Sequence, residues 1–272
     1  MKRTGVVFVL FLFVWFHGFG AGDFTVAGGR AAGMGFSAVA LSDGWSVFNN
    51  QAGIAWQNRP GAGFYFENRF LLKELSFKAM YLLLPVKSGA FGLSVHQFGF
   101  TLYNEFSAGL VYARAFGRHF AAGIGLDWLR IHLAEQYGTR NLVTFEIGLQ
   151  YRTLKSLSLG AHIYSPWPVR ISGTFKENIP TLICFGASWN GLKNLVVALD
   201  LEKSIQQKPA LKGGLEYHLA NPLYIRIGMV TDPMEFTFGI GIESGKIRFN
   251  ISSGYNWVLG YSPQADLVIL FK

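Results

Sequence analysis

The chain has 272 residues, 50% of them hydrophobic and 16% aromatic, with a net charge of +8. Only 15% are charged, against roughly a quarter in an ordinary soluble domain, so the fold must tolerate exposed apolar surface. The basic residues are scattered singly, which speaks against nucleic acid as a partner. The single cysteine, Cys184, rules out a scaffold held by internal disulfides and reads as a small lumen-side filler in a strand.

The first elements form a secretory pattern. Lys2 and Arg3 precede an apolar run, Val6 to Phe16, which ends on small residues with a cut expected after Gly20. The run is shorter than the roughly 20 residues of a spanning helix. No cysteine follows it, so no lipid-modified N-terminus is expected. Residues 21–58 come next, rich in Gly and Ala around Ala27 to Trp56 and too irregular for one helix or one strand.

From residue 59 to 272 the chain alternates with period two, the signature of strands with one apolar and one polar face. Phe236, Phe238, Ile240 and Ile242 alternate with Glu235, Thr237, Gly239, Gly241 and Glu243; Val143, Phe145, Ile147, Leu149 and Tyr151 alternate with Thr144, Glu146, Gly148, Gln150 and Arg152. About fourteen such runs recur, twelve if weak ones are lost, each near the roughly 9–11 residues of a tilted membrane strand. The turns expected between them include Lys87-Ser88-Gly89, Asn190-Gly191, Asn221-Pro222 and Ser244-Gly245. Longer loops are expected near Ala134–Asn141, Ser165–Pro180 and Ser204–Pro209 on the outer side. A soluble β-sandwich also alternates. However, so many polar opposite faces, with no amphipathic helix to cover the apolar ones, favour a closed transmembrane antiparallel β-barrel in an outer membrane of Gram-negative type. Trp128, Trp167, Trp189, Trp257, Tyr255 and Tyr261 suit an aromatic girdle, and the last strand, from Asp266, ends on penultimate Phe271.

In this frame residues 21–58 read as a plug inside the barrel. Its candidate anchoring residues are Arg30, Gly33, Met34, Gly35, Asp43, Asn49 and Gly53. Ser42 or Asp43 is placed to cap a short helical turn carrying Val47 and Phe48. The lumen charges are taken as Glu146, Arg152, Asp200, Glu216, Arg226, Glu243 and Arg248. Buried charge needs a partner, so Arg30 and Asp43 are expected to pair with charges such as Glu146, Asp200, Glu216, Arg226 or Arg248. No catalytic constellation stands out: His96, His119, His132, His162 and His218 lack metal-ligand spacing, and no HExxH or Gly-x-Ser-x-Gly is present. The expectation is a non-enzymatic protein without metal or cofactor, its lumen glutamates engaged in salt bridges.

The stretch Gly28-Gly29-Arg30-Ala31-Ala32-Gly33-Met34-Gly35, then Ala38 to Asp43, then Asn49-Asn50-Gln51-Ala52-Gly53 resembles the opening of the PorV/PorQ family and, more distantly, of FadL-type barrels. Gln51 departs from the proline usual there, and Gly44-Trp45 from small residues. The resemblance implies a fourteen-stranded barrel with its N-terminal segment folded inside. It also implies a role in type IX protein secretion, beside a large translocon barrel or secreted cargo, through loops such as Ser165–Pro180. The alternative it leaves open is a FadL-like channel for hydrophobic small molecules, with a lumen pocket near Trp45 and Phe48. Outer-membrane lipid is the other expected partner.

Overall fold

The computed structural model describes residues 24–134, 138–153, 156–167, 169–170, 178–205 and 207–272. The expected signal, the start of the segment 21–58, and half of the Ser165–Pro180 loop lie outside the described residues.

Alternation sorts side chains onto two surfaces, and the chain uses both. In one strand, Gly138–Arg152, Val143, Phe145, Leu149 and Tyr151 are 39–56% exposed, while Thr144, Glu146 and Gln150 between them are buried. Apolar side chains therefore face out and polar ones in, the reverse of a packed soluble sheet.

In chain order the strands are β1 (Gly61–Asn68), β2 (Ser76–Val86), β3 (Gly89–Gly99), β4 (Tyr103–Phe116), β5 (Phe120–Leu133), β6 (Gly138–Arg152), β7 (Leu157–Tyr164), β8 (Val169–Arg170) and β9 (Asn178–Ile179). They continue with β10 (Leu182–Leu192), β11 (Leu195–Ser204), β12 (Ala210–Ala220), β13 (Leu223–Thr231), β14 (Met234–Ser244), β15 (Ile247–Asn256) and β16 (Gly260–Leu270). Fourteen of them form one closed antiparallel barrel, and β8 and β9 make a separate two-stranded hairpin. Closure is made by β1 against β16, from Gly61 opposite Leu270 to Glu67 opposite Gln264. A closed sheet has no unpaired edge, so the wall's backbone groups bond within it, as hydrocarbon surroundings require.

The connections divide by end. Where β1 begins and β16 finishes, the turns are tight, among them Lys87-Ser88, Asn221-Pro222 and Gly245-Lys246. The longer connections, including those after β1, β7 and β11, lie at the other end.

Four boundaries differ from the sequence reading. Asn190 and Gly191 belong to β10, beside an irregularity in register, and the turn falls at Lys193-Asn194, with Asn194 at φ 69°. Gly138 to Asn141 are strand rather than loop. β4 begins at Tyr103, and β16 begins at Gly260 rather than Asp266. In β4 and β6 the strand runs on past the apolar band, where outward positions such as Asn104 and Asn141 are polar, so the alternation that betrays a strand fades. In β16 Pro263 is the disguise, because proline removes a ladder donor.

Candidate functional site

Residues 24–56 lie against the inward faces of the strands and are mostly buried. They carry two short helical turns, α1 (Gly29–Gly33) and α2 (Ser46–Asn49), and a 3₁₀ turn, Gln51–Trp56. Pieces this short are marginal on their own, so the segment is held by what the wall offers it.

At the tight-turn end the wall offers charge. Arg30 donates from Nε and Nη2 to Glu216 at 2.9 and 2.7 Å, a two-pronged pair, and its Nη1 lies 3.4 Å from Asp43. Glu216 also accepts from Arg226 Nε at 2.6 Å. Arg226 Nη1 donates to Asn250 at 2.7 Å, Asn250 donates to Asp266, and Asp266 accepts the backbone N–H of Gly29 at 2.8 Å. The chain of bonds thus leaves the segment at Arg30, crosses β12, β13, β15 and β16, and returns one residue away. Burial works against the charge of Arg30, but Glu216 and Asp43 more than restore it, so the guanidinium pKa stands above its ordinary value.

Elsewhere the wall offers a carboxylate, a hydroxyl and a neutral amide to the segment's backbone. Asp200 accepts from the N–H groups of Ala38 and Val39 at 2.7 and 2.9 Å. Thr237 accepts from Gly35 N at 2.8 Å and donates to Gly33 O. Gln150 donates to the carbonyls of Val39 and Leu41 and accepts from Ser42 and Trp56. This satisfies polar groups of a segment too irregular to satisfy itself.

The three amides Asn49, Asn50 and Gln51 each have a separate task. Asn49 exchanges two bonds with the backbone of Ala27, and Asn50 donates to Val39 O at 2.7 Å. Gln51 donates to Glu146, which also pairs with His162 Nε2 at 2.7 Å. The residue that departs from the family's proline is therefore a tie to the wall.

Backbone approaches backbone where wall glycines permit it. A Cβ on Gly228 would lie 2.1 Å from Gly35 N, and one on Gly214 would lie 2.3 Å from Met34 O. Gly35 itself sits at φ 63°, and Met34 is fully buried with Leu41 and Ala198. Gly33 faces Gly239, and Gly53 backs onto Ser46.

The remaining sequence-assigned residues are placed otherwise. Glu243 and Arg248 pair with each other at 2.7 Å, half-exposed. With Arg30, Asp43, Tyr81 and Glu216 they line a cavity of about 300 Å³ at the tight-turn end. The Arg152 guanidinium lies 4.3 Å from the Trp56 ring centre. Neither Ser42 nor Asp43 is the N-cap of α2; Trp45 holds that place without a side-chain cap, and Asp43 accepts instead from Trp45 N at 2.9 Å. Arg30 and Asp43 do not touch Glu146 or Asp200. Gln150, Thr237, Asn250 and Asp266 were absent from the expected site, although each is a polar residue on the inward register of its strand.

Apolar surface inside the lumen forms separate clusters. Trp45 and Phe48 pack with Tyr65, Phe77 and Tyr81, the Trp45 and Tyr81 rings edge-on at 4.8 Å, and Trp45 and Tyr81 also border the cavity at the tight-turn end. Toward the long-loop end, Leu129, Tyr164, Ile179, Leu182 and Cys184 form a second cluster with Val39. Phe24 packs against it, 5.0 Å from the His162 ring and 5.6 Å from Tyr164. Among the described residues no group of three or more His, Cys, Asp or Glu is arranged to hold a metal ion.

No family model and no curated protein matches the chain. Solved structures do. The Pseudomonas putida toluene transporter TodX superposes with a TM-score of 0.66 at 12% identity, over 92% of this chain and 99% of that one. The Ralstonia pickettii toluene transporter TbuX gives 0.62 at 12% identity, over 89% and 97%. A Pseudomonas aeruginosa FadL homologue gives 0.62 at 10% identity, over 90% and 98%.

The fold is FadL-like. At such identities the likeness establishes architecture and no more. The FadL-like fold agrees with the more distant of the two resemblances in the sequence, and none of these matches is to a PorV/PorQ protein.

Proposed function

We propose that this FadL-like barrel is an outer-membrane channel for hydrophobic small molecules, with residues 21–58 as its plug. The observation that carries the reading is the apolar seat of Leu129, Tyr164, Ile179 and Leu182 toward the long-loop end of the lumen, filled by Phe24 near the start of the described segment. A pure polar pore has no use for such a seat, whereas an apolar solute would occupy it by the same hydrophobic effect that now places Phe24 there. Two of the solved neighbours are toluene transporters, which supports monoaromatic compounds as the substrate class. Nothing in the comparisons supports the type IX secretion reading, so the channel takes precedence over it. The apolar outer wall and edge-free barrel support the membrane placement.

Equilibrium dialysis of radiolabelled toluene against the purified barrel tests the seat. Saturable binding is expected, and Phe24→Ala is expected to tighten it several-fold by vacating the site. Non-saturable partitioning, identical in the variant and in empty micelles, would contradict the proposal.

A further inference from the structure

The outer wall across β2 to β6 can be read as rows of directly paired residues. One row is Leu82, Leu93, Leu110, Leu126 and Phe145, all outward and exposed. Two rows nearer the long-loop end, the same strands present Lys78, Gln97, Phe106, Arg130 and Asn141. Lys78 and Arg130 are exposed, and among the described residues no carboxylate pairs with either. Between and above them runs a groove of about 650 Å³ on the wall, lined by Asn104, Phe106, Trp128, Arg130 and His132. His132 bonds Thr139 through Nδ1 at 2.9 Å.

A charged side chain on the lipid face is penalised at mid-membrane and tolerated near the interface. The change from an aliphatic row to one with two cations, flanked by Trp128, therefore marks the height at which hydrocarbon gives way to headgroups. Lys78 and Arg130 stand three strand spacings apart, about 14 Å. A headgroup with a phosphate at each end can span that spacing and meet both cations. Acyl chains below it would lie along Leu110 and Leu126.

We propose that this patch binds a phosphate-bearing lipid headgroup of the leaflet on the long-loop side, and prefers one with two phosphates. The inference rests on the membrane reading above. It assigns to the outer wall a site distinct from the lumen, where basic side chains meet anionic lipid at close range.

Native mass spectrometry of the delipidated barrel tests this, using diphosphorylated lipid A, its dephosphorylated form and inorganic phosphate as probes. The expected result is one retained diphosphorylated lipid per barrel, affinity about tenfold lower in Lys78→Gln/Arg130→Gln and for the dephosphorylated lipid, and no displacement by millimolar phosphate. Arg118→Gln, at the tight-turn end, should bind like the wild type. Equal binding of both lipids, or an unchanged double variant, would overturn the proposal. Failure of the wild type to enter vesicles as a heat-modifiable barrel would instead overturn the membrane reading beneath it.

Discussion

Glu216 accepts three charge-assisted hydrogen bonds, two from Arg30 and one from Arg226, with its side chain 6% exposed. Replacing it by leucine removes the carboxylate that Arg30 and Arg226 share, leaving Arg30 only Asp43 and Arg226 only the neutral Asn250. Breaking a buried pair in this way costs about 3–5 kcal/mol. Glu243→Gln removes a pair whose two side chains are each 36% exposed, and such pairs contribute about 0–1 kcal/mol. The temperature at which the barrel loses its folded gel mobility should therefore fall sharply in the first variant and hardly move in the second. Equal shifts would show that the ring of bonds through Arg30 does not hold the segment. The sequence made Arg30, Glu216 and Arg226 legible, because charge on the inward register of an alternating strand must find a partner. It concealed Gln150 and Thr237. Neutral polar residues at inward positions look like ordinary lumen lining until the backbone they serve is in place.

At the scale of elements, the segment is a chain without enough secondary structure to bond itself, so the wall completes it. Asp200 is one such support. Asp200→Ala leaves the amides of Ala38 and Val39 without an acceptor, a loss of about 1–3 kcal/mol, and hydrogen exchange at those two amides should accelerate while that of the wall strands does not. The close approach at Gly228 gives a second test: an added Cβ would lie 2.1 Å from Gly35 N, too near for a methyl group. Gly228→Ala should push the segment off β13 at a cost of about 1–3 kcal/mol, read as protease cleavage within residues 24–56 under conditions where the wild type resists. Resistance equal to the wild type would mean the segment does not depend on that seat. The strands themselves were legible wherever an apolar band makes them alternate. Gly138–Asn141 was not, since above the band the outward Arg130, Asn141 and their neighbours are polar and a strand no longer announces itself; in Gly260–Ala265 Pro263 interrupts the pattern instead.

The whole molecule inverts the usual arrangement of a protein: apolar residues line its outside and its charge network crosses the inside. That inversion follows from the alternation and from closure, and it is why fourteen strands suffice without a single apolar spanning helix among the described residues. What the barrel transmits was less legible, because the apolar seat draws on β5, β7, β9 and β10, with one residue or two from each, and no single stretch of sequence contains it. The direct test is uptake of radiolabelled toluene by intact cells with and without the protein, beside a hydrophilic solute of similar size. The channel account predicts faster entry of toluene alone, reduced by Leu182→Glu, which places a charge in the seat of Phe24. Equal toluene entry with and without the protein, or equal acceleration of both solutes, would contradict it.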